Sequence, residues 1–89
     1  MAWTIELTST AIRQLERLDK PVAQRIRRFL LERVAPGEDP RRLGQALHGK
    51  AFGEFWKYRV GDYQIIVKIE DARLLVLVIE IGHRREVYR

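Results

Sequence analysis

Cysteine is missing from the 89 residues of this chain, and only two histidines are present. Disulfides, thiol catalysis and cysteine-ligated zinc are thereby excluded, and two histidines are too few to complete a structural zinc site. We therefore expect no metal and no cofactor. A chain without cysteine also fits a reducing compartment, so we expect a cytoplasmic protein.

Long hydrophobic runs are missing as well. The longest is Leu74–Ile79, which is far short of the roughly 20 residues of a membrane-spanning helix. Residues 1–10 contain no basic start followed by an apolar stretch, so we expect neither a signal peptide nor membrane contact. The length predicts a single domain over residues 1–89.

Positive charge is plentiful. Lysine and arginine total 17 against 12 aspartates and glutamates, which gives a net charge of +5, and most of the basic residues are arginines. The planar guanidinium matches the geometry of phosphate and stacks on bases. The composition therefore indicates a polyanion or an acidic protein as the partner, or else merely a soluble basic surface.

The first half of the sequence predicts a strand and two helices. Residues 3–7 alternate apolar and polar side chains, as a half-buried strand does. The hydroxyl residues 8–10 suit the start of a helix of about three turns, and Pro21 suits the first turn of a second amphipathic helix that residues 36–37 end. The short connection between them predicts a helical hairpin.

The second half predicts an antiparallel sheet. Glu54–Val60, Tyr63–Glu70 and Arg73–Ile81 are rich in β-branched and aromatic residues and are separated by short polar connections. Between the two halves, residues 39–49 predict a further short helix. The fold class is therefore α+β, with an N-terminal strand and a helical hairpin packed on an antiparallel meander.

The two faces of this sheet differ in character. If residues 61–62 form the turn, Arg59 lies opposite Gln64. The face predicted to lie under the helices carries Trp56, Tyr58, Val60, Tyr63, Ile65, Val67 and Ile69. The second face carries Phe55, Lys57, Arg59, Gln64, Ile66 and Lys68. Residues 74–79 are apolar on both faces, which predicts a cover for the second face: either a partner protein, or residues 38–53 with the C-terminal tail.

Cationic and aromatic side chains of the second face and the C-terminus form the candidate site: Lys57, Arg59, Arg84, Arg85 and Tyr88. Such a site can bind a phosphodiester and stack a base. It can also promote RNA cleavage, because the 2′-hydroxyl attacks the adjacent phosphate and the protein needs only to assist proton transfer and stabilise charge. The alternative is a solvated basic rim. His83, beside these arginines, is a candidate general base or an ordinary strand-end histidine.

Two segments resemble the RelE/ParE superfamily of bacterial toxins: WKYRVGDYQII at residues 56–66 and IGHRREVY at residues 81–88. The upstream helices also have counterparts, so the resemblance covers essentially the whole chain. It implies a RelE-like fold and a toxin of a type II toxin–antitoxin system. RelE-like members cleave messenger RNA in the ribosomal A site without metal. The implied partners are a cognate acidic antitoxin, the ribosome with its mRNA, and operator DNA contacted only through the antitoxin.

The resemblance also implies roles for individual residues. Catalysis is expected of Lys57, Arg84 and Tyr88, and RNA or phosphate binding of Arg59, Gln64, His83 and Arg85. Gln64 stands where the family usually has an arginine that clamps the scissile phosphate, and Phe55 stands where some members have a lysine. We therefore expect a metal-independent endoribonuclease with attenuated activity.

Two other functions remain open. The chain can be a ParE-like toxin that inhibits DNA gyrase by binding, or a catalytically weakened toxin that acts as a partner-binding module. The tail at residues 82–88 resembles RelE more than ParE, so the RelE-like interpretation comes first.

Overall fold

The computed structural model describes residues 2–47 and 55–83. In chain order its main elements are β1 (Thr4–Leu7), α1 (Ser9–Glu16), α2 (Lys20–Arg28), β2 (Gln45–Ala46), β3 (Phe55–Val60), β4 (Tyr63–Glu70) and β5 (Leu75–His83). Helix α2 continues as π-helical turns over Phe29–Val34. Short 3₁₀ helices span Pro40–Leu43 and Asp71–Arg73.

The five strands form one sheet in the order β1-β5-β4-β3-β2. Strands β3, β4 and β5 are the predicted antiparallel meander, and β2 pairs antiparallel with the outer edge of β3. Strand β1 pairs parallel with β5, which makes the sheet mixed. Two helices pack on this sheet, so the predicted α+β class is confirmed.

Side-chain hydrogen bonds join α1 to β5. The Thr8 hydroxyl caps the helix by accepting from the Ala11 amide at 3.1 Å, and it donates to the Ile79 carbonyl at 3.0 Å. One turn later, Gln14 Oε1 accepts from the Ile81 amide at 2.6 Å. These bonds fix α1 against the end of the sheet that precedes the C-terminal tail.

The helix boundaries largely follow the sequence signals. Pro21 lies in the first turn of α2, and its helical continuation ends at Val34, just before Pro36 and Gly37. Helix α1 ends at Glu16 and is shorter than the predicted three turns. In the described part of the chain, no helix is long and apolar enough to cross a membrane.

The predicted core face is confirmed. In the β3–β4 hairpin Arg59 pairs with Gln64 and Val60 with Tyr63, which is the register expected for a turn at residues 61–62. The core shared by helices and sheet includes Leu15, Ile26, Leu30, Val34, Tyr58, Ile65, Val67, Val76 and Val78. Trp56 and Tyr63 are partly buried against it.

The predicted helix over residues 39–49 is wrong beyond Leu43. The chain there becomes extended and pairs with β3, so that Gln45 lies opposite Lys57. Gly44 permits this approach, because a Cβ on Gly44 would lie 2.6 Å from the carbonyl oxygen of Lys57. The end predicted at Gly49 lies outside the described residues.

A bulge in β5 changes the direction of its last side chains. Val67 pairs with Val78 but Ile66 pairs with Glu80, so Ile79 is an extra residue. An extra residue exchanges the faces of all side chains that follow it. The strand then runs to His83, two residues beyond the predicted end at Ile81.

The second face of the sheet is partly covered. Leu47, Gln64, Ile66 and Leu75 are buried although none of them belongs to the main core. Leu47 follows β2, and its amide donates to the Phe55 carbonyl at 3.0 Å. Part of the cover predicted from residues 38–53, and all of that predicted from the tail, lies outside the described residues.

Candidate functional site

Three of the predicted site residues meet on the second face of the sheet. Lys57 and Arg59 stand two positions apart on β3 and therefore point to the same side, and Gln64 faces Arg59 from β4. Together with Leu43, Gly44 and Gln45 they line a cavity of about 200 Å³. That volume is several times the roughly 30 Å³ that one water molecule occupies in the liquid, so the cavity can admit a phosphate group.

The wall formed by residues 40–45 is anchored from both sides. The buried Tyr58 hydroxyl donates to the Pro40 carbonyl at 2.7 Å, and its ring packs edge-on against Phe29 with centroids 5.4 Å apart. Burial raises the pKa of the Tyr58 hydroxyl, so it stays a neutral donor. Arg41 donates to both carboxylate oxygens of Asp71, at 2.9 and 2.6 Å. This pair raises the pKa of Arg41 and lowers the pKa of Asp71.

Gln64 is the buried polar group of the cavity. Its exposure is 8%, and within the described residues Oε1 has no hydrogen-bond partner. Across the sheet it faces Gly82, which contributes no side chain. An unpaired buried polar atom costs about 1–3 kcal/mol. This oxygen could accept a hydrogen bond from a hydroxyl of a ligand, while the NH₂ group of the same amide could donate to a phosphate oxygen.

Arg59 lies at the mouth of the cavity. Its side chain is exposed, and Nε donates to the Gly61 carbonyl at 3.2 Å. Lys57, two residues earlier on β3, is only partly exposed. The site thus presents two cations and an amide to one small volume, which is an arrangement suited to a phosphodiester.

His83 lies on the opposite face of the sheet. It pairs with Tyr63, and the two rings make an edge-on contact with centroids 5.7 Å apart. It lines a different cavity, together with Gln14 of α1 and Arg17, the residue that follows this helix. The structure therefore does not bring His83 together with the cavity on the second face, and the bulge in β5 is the reason.

The other predicted site residues, Arg84, Arg85 and Tyr88, lie outside the described residues. They follow β5 directly in the chain, and their roles stay predictions. Conversely, sequence reasoning missed Leu43, Gly44 and Gln45 as cavity lining. The one available signal was Gly44, since an isolated glycine can mark a close approach of two backbones.

The sequence matches a family model described as the ParE toxin of the type II toxin–antitoxin system parDE, over residues 5–88. Two curated relatives come from Mycobacterium tuberculosis. The chain is 28% identical to toxin RelG over 89 residues, covering 100% of this chain and 99% of RelG. It is 32% identical to toxin RelE over 85 residues, covering 96% of this chain and 84% of that toxin.

Solved structures share the fold. The M. tuberculosis toxin–antitoxin complex RelBE2 aligns with a TM-score of 0.85 at 23% identity, covering 97% of this chain and 95% of that one. The isolated Escherichia coli RelE toxin aligns with a TM-score of 0.74 at 24% identity, covering 98% and 92%. The chain therefore belongs to the ParE toxin family and is a toxin of a type II toxin–antitoxin system, of the RelE/RelG kind.

Proposed function

We propose that this toxin is a ribosome-dependent, metal-independent endoribonuclease that cleaves mRNA in the A site by attack of the 2′-hydroxyl. The observation that carries the proposal is the convergence of Lys57, Arg59 and Gln64 on one cavity of about 200 Å³. These groups can hold the phosphate that the 2′-oxygen attacks. The similarity to RelE and RelG toxins supports the same activity.

The reaction is a transesterification at phosphorus. The 2′-oxygen loses its proton and bonds to phosphorus, the bond to the 5′-oxygen breaks, and that oxygen takes up a proton. The products are a 2′,3′-cyclic phosphate and a 5′-hydroxyl. Negative charge grows on the phosphate oxygens during this step, so positioned cations lower the barrier.

Each residue then has a distinct part. Lys57 and Arg59 stabilise the charged phosphate oxygens, while the Gln64 amide donates a neutral and therefore weaker hydrogen bond. From the resemblance, we assign stabilisation of the leaving 5′-oxygen to Arg84 and base stacking to Tyr88. His83 and Arg85 are proposed to bind RNA outside the cavity.

A cognate antitoxin is the partner that keeps the toxin inactive. The structural neighbours include toxin–antitoxin complexes from M. tuberculosis, E. coli and Methanococcus jannaschii. We propose that the antitoxin of this chain carries an acidic segment, because the toxin has a net charge of +5. Operator DNA would then be reached only through the antitoxin, and the complex would work in the cytoplasm.

Primer extension on mRNA in a purified translation system tests the proposal. We expect cuts within A-site codons with the unaltered toxin and none with Lys57→Gln or Arg84→Ala. Lys68→Gln is the matched control, because Lys68 shares the sheet face with Lys57 but does not line the cavity. No cuts by the folded toxin in the presence of ribosomes would overturn the proposal. Inhibition of gyrase supercoiling would then favour the ParE-like alternative.

A further inference from the structure

A second basic cavity lies on the other side of the β3–β4 hairpin. Its volume is about 400 Å³, and its lining residues come from α2 with its π-helical continuation and from the hairpin turn. The charged lining residues are Arg25, Arg28, Glu32, Arg33 and Arg59. It is larger than the candidate site and contains no residue to which the proposed reaction gives a role except Arg59.

The positive charge of this cavity is little neutralised. Arg28 reaches Glu32 at 4.0 Å with both side chains exposed, and such a pair contributes little in water. Among residues 2–47 and 55–83, neither Arg25 nor Arg33 nor Arg59 takes part in an ion pair. Three guanidinium groups with unused donors therefore border the same space.

Two of these guanidinium groups approach Gly61 at the hairpin turn. A Cβ on Gly61 would lie 3.1 Å from Arg25 Nη1, while Arg59 Nε donates to the Gly61 carbonyl at 3.2 Å. Gly61 has a φ of +60°, a conformation that glycine adopts without strain. Two cations therefore lie near the turn, and an anion bound beside it would reduce the repulsion between them. Phosphate fits, because a guanidinium binds its oxygens through two parallel donors.

Arg59 connects the two cavities, since it lines both. A strand of RNA held at the candidate site can therefore continue past Arg59 into the second cavity. We propose that Arg25, Arg28 and Arg33 bind a backbone phosphate of the same single-stranded RNA, next to the phosphate at the candidate site. The proposal rests on RNA as the toxin's substrate. It favours RNA over an acidic protein because successive phosphates of one strand supply anions at both places.

Equilibrium binding of RNA tests this second phosphate site without depending on cleavage. The full chain is titrated into a fluorescent single-stranded 2′-O-methyl oligoribonucleotide, which has no 2′-hydroxyl to attack, at several salt concentrations. Loss of one phosphate contact on single-stranded nucleic acid lowers the slope of log K against log salt by about 0.7. We expect that change for Arg25→Gln, with affinity reduced roughly three- to tenfold at low salt.

Arg27→Gln is the matched control. It removes the same charge from the same helix, but Arg27 lines an apolar cavity with Ile12 and Leu31 on the other side of α2. We expect its RNA affinity to stay within about twofold of the unaltered chain. Arg33→Gln, at an exposed position, provides a second test variant in case Arg25→Gln does not fold.

Three results would overturn the inference. The first is an equal loss of RNA affinity in Arg25→Gln and Arg27→Gln, which would mean that only the net charge of the protein matters. The second is unchanged RNA binding by both Arg25→Gln and Arg33→Gln. The third comes from titrating the same variants against a polyglutamate peptide with the charge of the oligonucleotide. If the affinity falls for the peptide but not for RNA, the surface binds an acidic protein instead. Absence of A-site cleavage would instead count against the proposed reaction and leave these binding results intact.

Discussion

At the scale of single residues, the proposal makes Gln64 the group that sets how strongly the cavity would bind a phosphate. It is a neutral amide, 8% exposed, at a position where a positive charge would face the anion directly. A charge-assisted hydrogen bond is roughly twice as strong as a neutral one. We therefore predict that Gln64→Arg raises the rate of A-site cleavage roughly tenfold, about 1.4 kcal/mol at the transition state. Single-turnover cleavage of one mRNA measures it, and equal rates would contradict the role given to Gln64.

Gln64→Met is the companion variant. It keeps the volume but removes an amide oxygen that has no partner among the described residues. Replacing an unsatisfied polar group by an apolar one is neutral or stabilising. We predict that the free energy of unfolding stays equal or rises while cleavage falls. A loss of stability in urea titrations would mean that the amide serves the fold.

Tyr58 contributes at the same scale, through the fold rather than the chemistry. Tyr58→Phe deletes the hydroxyl that donates to Pro40 and leaves a buried carbonyl without its donor. We predict a loss of about 1–3 kcal/mol in the free energy of unfolding. Tyr63→Phe, on the same sheet face but only partly buried, is the control and should change stability less. Equal losses in the two variants would exclude the Pro40 hydrogen bond as the cause.

At the scale of elements, the close contact between β2 and β3 shapes the cavity. Gly44→Ala would place a methyl 2.6 Å from the Lys57 carbonyl oxygen, so β2 must move away. We predict a loss of roughly 1–3 kcal/mol, as for other overpacked sites, together with a fall in cleavage. Gly37→Ala meets its nearest atom at 3.4 Å and should be tolerated. Thermal unfolding of both variants checks this, and equal melting temperatures would contradict it.

The ion pair between Arg41 and Asp71 joins the cavity wall to the β4–β5 connection. The hydrogen bonds with Arg41 lower the pKa of Asp71 below its ordinary value of 3.8. The pair therefore stabilises the fold above pH 3.8, and this contribution is lost as the pH falls through the lowered pKa. We predict that stability falls less between about pH 5 and pH 3 in Asp71→Asn than in the unaltered chain. Asp62→Asn, in the hairpin turn, is the control. Parallel pH profiles of the urea midpoint for all three proteins would refute the role of the pair.

The same scale shows what the sequence could and could not predict. The β3–β4 register followed from the turn at residues 61–62, and with it the shared face of Lys57, Arg59 and Gln64. Strand β2 could not be predicted, because two residues show no periodicity. The face of His83 could not be predicted either, because it depends on the bulge at Ile79, which tertiary contacts with α1 stabilise.

At the scale of the whole molecule, two cavities with basic side chains adjoin the β3–β4 hairpin and share Arg59. The net charge of +5 was visible in the composition. The composition did not show that this charge is concentrated around one hairpin, because α2 and β3 come together only through the packing of the core. In our proposal, this concentration of charge forms the path along which one strand of RNA binds.

The most direct test of the central claim is cleavage of an mRNA carrying one 2′-deoxy nucleotide at the mapped A-site cut. Attack by the 2′-oxygen predicts that this single change abolishes the cut, and that the unmodified mRNA yields a 2′,3′-cyclic phosphate only while Lys57 is present. Cleavage of the deoxy-substituted mRNA at the same place, or undiminished cleavage by Lys57→Gln, would contradict the account.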